Sequence, residues 1–401
     1  MAAPLADVPN DDTAAGPQLA VTRLKLQDFR SYGALALDVA PRSVVLVGPN
    51  GAGKTNLLEA VSLLSAGQGL RRAPFAELGR LSGTGGWSIH ATLETPEGPR
   101  EIGTGQAAGL VTQSDRIGRT VRLDGSTYKS SGILADVIEM VWVTPAMDGL
   151  FTGPAGERRR FLDRLILCFD PSYRTRVGHF EKAMASRNRL LADGVRDPAQ
   201  LGGLERIMAE TGIAIAAARS EAVAHLEATI DQRRLRAPDS PFPWARLVLD
   251  GDIERDLATR PAVDVEEAYV RTLRETRERD RAAGRTLDGP HRADFIVGHG
   301  PKDMPARLSS TGEQKALLVG LVLAHAELMR QRRDGTAPIL LLDEIAAHFD
   351  PDRRAALFAE LDRLGAQAWM TGTDASAFEP LLARGAIYRV EAGRVAKLDR
   401  I

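Results

Sequence analysis

Cysteine is almost missing from this chain: among 401 residues there is one, Cys168. That excludes a disulfide framework and a cysteine-built zinc cluster. Cys168 lies in an apolar helical stretch and reads as a small packed hydrophobe, not a nucleophile. An excess of one charge sign is missing too. Lys and Arg total 52 against 53 Asp and Glu, a formal net charge of −1. No global basic field announces nucleic acid, so any such surface has to be a local patch. No apolar run approaches the roughly 20 residues of a membrane span. Residues 1–18 are rich in Ala, Pro and Asp and lack the basic-then-apolar layout of a secretory leader. They read as a disordered tail, and a cytoplasmic location is the expectation. No internal repeat is found. With 44% hydrophobic and 26% charged residues, the chain has room for two or three domains, or for one with a large insertion.

What is present is a phosphate grip. Gly48-Pro49-Asn50-Gly51-Ala52-Gly53-Lys54-Thr55 satisfies G-x-x-x-x-G-K-[ST] at every fixed position. The β-branched run 43–47 before it reads as a buried strand, and 56–64 after it has helical spacing. The glycines let backbone N–H groups wrap an anion at a helix N-terminus. Lys54 brings a point charge for the β- and γ-phosphates, and Thr55 a hydroxyl for Mg²⁺.

The rest divides by pattern. Residues 21–27 and 35–39 read as strands flanking Phe29-Arg30-Ser31-Tyr32. A basic pair, Arg71-Arg72, follows the 56–64 helix. Residues 86–143 are strand-like, with a turn at Asp124-Gly125. From about residue 154 the pattern turns helical. Arg158, Arg159 and Arg160 sit in a first helical turn, where the helix dipole opposes positive charge. DNA phosphate, nucleotide and plain solvent are all open as their partners. Leu204 to Ile230 recur at helical spacing, giving about seven or eight turns. A further helix is expected over 263–281. The loop 288–294, dense in Asp, His and Arg, reads as a site near the nucleotide, a dimer contact or a plain turn.

The apolar run 338–342 ends in Asp343-Glu344, the Walker B arrangement of a P-loop protein. Asp343 would hold Mg²⁺, and Glu344 would act as general base toward water. Just before it, Leu308-Ser309-Ser310-Thr311-Gly312-Glu313-Gln314-Lys315 opens an apolar helix. Ser310 and Gly312 there resemble the signature of ABC-type ATPases, a helix start that binds the γ-phosphate held by another protomer. His348-Phe349-Asp350-Pro351 resembles the D-loop. The last strand expected, 366–370, leads into Thr371-Gly372-Thr373-Asp374, where transporters usually place a switch histidine. Here Thr371 or Thr373 occupies that region.

In order and separation these segments resemble the RecF family of SMC-like ATPases, together with Gly156-Glu157-Arg158-Arg159-Arg160-Phe161-Leu162-Asp163 and Gly289-Pro290-His291-Arg292. The match spans nearly the whole chain after residue 20. It implies an α/β ABC-type P-loop ATPase head, a mixed sheet with an antiparallel subdomain, carrying an inserted α-helical arm. The expected division is head 19–153, arm 154–285 and head again 286–401. The resemblance implies a weak DNA-dependent ATPase that uses ATP and Mg²⁺ and forms an ATP-dependent homodimer on double-stranded and gapped DNA. Partners would be RecR, with RecO and RecA in the pathway, and no membrane. It adds Arg30 and Asn56 to the nucleotide contacts formed by 48–55, Ser310 and Gly312. The candidate DNA contacts are Arg71, Arg72, Arg158, Arg159 and Arg160.

Three departures stand out. Walker B ends Asp-Glu where many members carry two aspartates. The D-loop reads Ala347-His348-Phe349-Asp350, and Thr144-Pro145-Ala146-Met147-Asp148 lacks a glutamate common after that proline. A transporter subunit is disfavoured by the long insertion and the absent histidine. A long coiled-coil clamp is disfavoured by short helices, and a metabolic kinase by the signature and D-loop.

Overall fold

The computed structural model describes residues 18–83, 85–108, 118–345 and 349–398. Most of the tail, and Ala347 and His348 of the expected D-loop, lie outside the described residues.

The N-terminal half builds an antiparallel sheet. β1 (Ala20–Phe29) pairs with β2 (Tyr32–Asp38) on one side. The P-loop strand β3 (Ser43–Val47) and helix α1 (Lys54–Ser62) come next in the chain. β4 (Trp87–Glu94) then returns to the other side of β1 and is followed by β5 (Arg100–Gln106). β6 (Thr120–Leu123) and β7 (Ser126–Tyr128) form a hairpin around Asp124-Gly125. Burial alternates residue by residue along β4, as a sheet with one wet face requires. β5 is not legible in the sequence because Gly103 and Gly105 interrupt its alternation.

A second, mostly parallel sheet holds β3 at its centre. Its order is β15-β14-β3-β13-β12-β8, from β8 (Met140–Val143), β12 (Ile339–Leu342), β13 (Ala368–Gly372), β14 (Gly385–Glu391) and the antiparallel edge β15 (Arg394–Leu398). β3, β8 and β12 are buried at every position, which is why they read as unbroken apolar runs. The two-residue period splits them between two cores. Val44, Leu46, Ile339 and Leu341 pack toward the antiparallel sheet and α1. Val45, Val47, Leu340 and Leu342 pack toward the helices behind.

Those helices start with α2 (Ala155–Leu167), α3 (Tyr173–Ala192) and α4 (Pro198–Arg236). α4 runs 39 residues, longer than its apolar stripe suggests. Asp197 caps it by accepting from the Ala199 N–H at 2.9 Å, and Pro198 fits the first position. At 1.5 Å per residue it spans about 58 Å. β9 (Ala245–Asp250) and α5 (Asp252–Leu257) precede α6 (Ala262–Glu275) and α7 (Arg277–Ala283). The single helix expected over 263–281 is therefore two. The Thr276 hydroxyl back-bonds to the Thr272 carbonyl at 2.8 Å where it breaks. β9 pairs with β10 (Asp294–His299), which pairs with β11 (Met304–Pro305), so one small sheet straddles the expected boundary at 285.

Arg187 pins the arm from inside. It is fully buried, bonded to Glu205, Asp280, Thr286 and the Leu273 carbonyl. Removing one partner from such a set typically costs about 3–5 kcal/mol, because a buried charge is left unpaired.

α8 (Thr311–Arg332) and α9 (Pro351–Leu364) close the second core. Between Gln314 and Met329 α8 is buried on nearly every side, so no amphipathic stripe marks it. His325 on α8 donates from Nε2 to the Leu165 carbonyl of α2 at 2.9 Å. Its Nδ1 is buried without a partner among the described residues. Protonation would strand a buried donor there. Burial, helped by the charges of Arg164 and Arg332, holds its pKa down at about 4. The unfolded chain binds this proton near 6.5 and the folded chain does not. Stability contributed by His325 is thus present above 6.5 and lost as pH falls toward 4. In His325→Gln, the acid-side fall of the urea midpoint between pH 6.5 and 4 should shrink. An unchanged profile would remove His325 from this role.

Candidate nucleotide site

The parallel order β12-β13-β3 aligns three strand ends at one edge. From β3 the chain enters the loop 48–53. From β12 it enters Asp343-Glu344. Thr371 lies inside β13 between them. Ligands bind at such carboxyl ends because the loops there are free of strand pairing.

Close approach dictates two of the loop glycines. A Cβ on Gly48 would sit 2.2 Å from the Val390 carbonyl oxygen of β14. At Gly53, with φ +107, it would meet the Tyr32 hydroxyl at 2.8 Å and Ser31 Oγ at 2.9 Å. Tyr32 in turn donates to the Gly53 carbonyl at 3.0 Å, and Asn56 donates to Ser31 Oγ at 3.0 Å. The Phe29–Tyr32 turn is thus a buttress under the loop. Gly51 faces open space.

Lys54 is 5% exposed. Its ammonium donates to the carbonyls of Gly48 and Pro49 at 2.7 and 2.9 Å, which centres it in the loop. Burial lowers its pKa, and the charges of Glu344 and Asp343 oppose that shift. Thr55 Oγ1 lies 3.1 Å from both Asp343 oxygens. A hydroxyl beside a carboxylate is a hard-oxygen donor pair of the kind Mg²⁺ takes, with water and phosphate filling its other positions. The residues present therefore fit that ion.

Thr371 resolves the choice left open with Thr373. It is fully buried, whereas Thr373 is exposed. Its hydroxyl donates to Asp343 at 2.7 Å and accepts from the Glu344 N–H at 2.7 Å. Glu344 has φ +52, a conformation that costs a non-glycine residue about 1–2 kcal/mol. Thr371 holds its N–H, and Lys315 donates to its carbonyl at 3.4 Å. Lys315 is buried and also faces Asp148 at 3.5 Å. The Glu344 carboxylate has no hydrogen-bond or ion-pair partner among the described residues, which leaves it free for water. Neither Lys315 nor Thr371 could be given this task from sequence, since both depend on contacts between distant segments.

Ser310 caps α8. It accepts from the Glu313 N–H at 3.4 Å while Glu313 accepts from the Ser310 N–H at 3.1 Å, a capping box. Lys302, 2.5 Å away, holds the Glu313 carboxyl down at about 2. Ser310 is exposed, and a Cβ on Gly312 would meet nothing. No hydrogen bond or ion pair among the described residues joins either one to 48–56.

The candidate arginines separate by what they touch. Arg30, expected at the nucleotide, instead forks onto buried Glu59 with two bonds of 2.8 Å and donates to the Glu77 carbonyl. Arg71 joins that network through Asn56 at 3.0 Å and Glu59 at 3.5 Å. Arg158 is tied to Asp294 by two bonds of 2.8 Å. Arg159 donates to the Ala293 carbonyl. Their place near the start of α2 is explained by these partners at the end of the 288–294 loop, where β10 begins. That loop is itself structural: Tyr269 donates to its Asp288 carbonyl at 2.9 Å, and Arg219 to its Pro290 carbonyl at 2.6 Å. Arg160 is exposed and pairs with Glu157, and Arg72 is exposed. Burial pushes the Cys168 thiol up to about 12, as suits a packed residue.

A glycine loop and an acidic strand end joined through Thr55 and Asp343 define a P-loop ATPase head of the ABC and SMC type. Residues 20–394 match the family described as RecF/RecN/SMC N terminal domain. The DNA replication and repair protein RecF of Mesorhizobium japonicum is 55% identical over 95% of this chain and 99% of its own length. RecF of Rhizobium leguminosarum is 53% identical over 94% and 99%. The structure of the recombination mediator protein RecF-ATPrS of the RecFOR pathway superposes with a TM-score of 0.81, covering 96% of this chain and all of its own, at 21% identity. The chain belongs to the RecF family.

Thr371→Val should leave the fold intact and weaken the hold on Asp343 and Glu344. Lost outer-sphere support of this kind costs about 10–100-fold in metal affinity or activity. A Mg²⁺ titration of ATP turnover checks it, and wild-type behaviour would show that Thr371 positions nothing.

Proposed function

We propose that this chain is an ATP-dependent DNA-binding protein of replication and recombinational repair. It closes as a homodimer with two ATP molecules between the loop 48–55 of one protomer and Ser310 and Gly312 of the other. The closed dimer clamps duplex DNA beside single-strand gaps and works with RecR and RecO to load RecA. Slow, DNA-stimulated hydrolysis opens it.

The observation that carries this reading is the divided site. Loop and acidic pair converge, while the capped start of α8 stands exposed and unattached to them. An exposed helix N-terminus with a serine and a bare glycine suits an anion presented from outside.

Each residue then has a task. Lys54 and the loop N–H groups neutralise the β- and γ-phosphates. Thr55 and Asp343 would hold Mg²⁺, which supplies charge neutralisation across the phosphates. Glu344 accepts a proton from the attacking water, with Thr371 and Lys315 fixing its backbone. A metabolic kinase would not call for an exposed α8 cap.

Three variants test the reading. Lys54→Arg should lose ATP binding and the ATP-driven dimer. Ser310→Arg should keep ATP binding by the monomer but lose the dimer and ATP-dependent DNA binding. Unchanged dimerisation and DNA binding in both variants would sink the clamp. Glu344→Gln should keep ATP and DNA and lose turnover by about 10²–10⁴-fold, the usual share of a general base. Normal turnover in that variant would remove Glu344 from its role.

A further inference from the structure

Between the head and the arm lies a cavity of about 660 Å³. On the head side it is lined by the loop that leaves α1, including Gly67, Gly69 and Arg72. On the arm side it is lined by Arg160 and Arg164 of α2 and Arg174 of α3. Among the described residues no carboxylate forms an ion pair with Arg72, Arg164 or Arg174. Among the described residues the buried Arg164 Nε has no hydrogen-bond partner.

The carboxylates that do line the cavity are engaged elsewhere. Asp163 is forked by Arg219 at 2.8 and 2.9 Å and accepts from Tyr173 at 2.6 Å. Glu139 pairs with Arg333 at 2.6 Å, and burial pushes its pKa up to about 7. Among the described residues, three guanidinium groups of the walls, those of Arg72, Arg164 and Arg174, therefore have no carboxylate to neutralise them. Burial lowers the pKa of Arg164 and Arg174, and the charge of Arg72 lowers both further. Crowding of like charges without a counter-ion is unfavourable unless an anion arrives.

The lining also says what kind of anion. Guanidinium forks suit phosphate oxygens. The aromatic face nearest to hand, Trp142, is covered by Arg164 at 4.9 Å, so no ring is offered for a base to stack on. Such a site reads backbone and not sequence.

We propose that this cavity is a phosphate-docking site for the sugar–phosphate backbone of duplex DNA, with Arg72 and Arg174 at its mouth and Arg164 deeper in. The assignment rests on the DNA-binding reading above. The site is wired to the nucleotide loop. Ser62 Oγ accepts from the Leu70 N–H at 2.8 Å, and Ser65 donates to the Ser62 carbonyl at 2.8 Å. The loop that carries Arg72 is thereby stapled to the far end of α1, whose start grips the phosphates.

The test is duplex binding with ATP, measured at several salt concentrations, for wild type and for Arg72→Ala/Arg174→Ala. Both arginines are exposed and neither touches the nucleotide site, so DNA-free ATP turnover should be unchanged and reports an intact fold. Two lost phosphate contacts should weaken binding across all sequences and flatten the slope of log K against log salt by about 2. Arg164→Lys, which keeps charge but loses the fork, should weaken binding with little change of slope. Wild-type affinity and slope in the double variant would overturn the site while leaving the DNA reading standing. A wild type that binds no duplex would overturn that reading and the site together. Inorganic phosphate is the second arm: if it raises the wild-type Tm but not that of the double variant, while duplex binding is equal in both, the ligand is a free anion and the DNA assignment falls.

Discussion

The contact on which the site depends is the pair of 3.1 Å approaches between the Thr55 hydroxyl and the Asp343 carboxylate. They join residues 288 positions apart. Neither segment alone can hold a metal-bound triphosphate. The join exists because β3 and β12 flank β13 in parallel, so three carboxyl ends meet at one edge. Thr371 on the middle strand then bonds Asp343 and the strained Glu344 together. One slip of register would turn Thr371 to the opposite face and leave Asp343 without its support. Leu46, Leu341 and Trp369, buried toward the antiparallel sheet, hold that register by packing.

What was legible in the sequence is what is local. The glycine loop, its strand and its helix announce themselves because steric demands and apolar runs are written over a few consecutive residues. Asp343-Glu344 is legible for the same reason. The start of α8 reads from Ser310 and Gly312, two apart. Thr371 was narrowed to two candidates, since burial decides between it and Thr373 and burial is a tertiary property. Lys315 was passed over because a lysine in a helix start usually faces water. Here it is buried against the Glu344 carbonyl and Asp148.

The arginines show the same limit more sharply. Five were candidates for DNA on the strength of clustering alone. Arg158 and Arg159 sit beside Arg160 in sequence, yet the helix turns the first two onto Asp294 and the Ala293 carbonyl. Positions one apart on a helix point about 100° apart, so a run of three basic residues cannot share one partner. Arg164 and Arg174, never singled out, lie with Arg72 because two arm helices and a head loop converge there. Charge clustering in space and clustering in sequence are different quantities, and only the former attracts phosphate.

The end of α1 shows how the nucleotide-binding helix is fixed to the rest of the head. A helix exposes carbonyls at its C-terminus, and these need donors or positive charge. Arg119, buried beneath the antiparallel sheet, donates to the carbonyls of Leu63 and Ser65 and to Thr104. The far end of the P-loop helix is therefore anchored to β5 through one guanidinium. The same few residues, 62–65, carry the bonds that shape the loop bearing Arg72. A shift of α1 along its axis cannot occur without disturbing both. The helix that starts at the phosphate loop is thus held at its other end by two separate sets of bonds, one to the antiparallel sheet and one to the loop bearing Arg72.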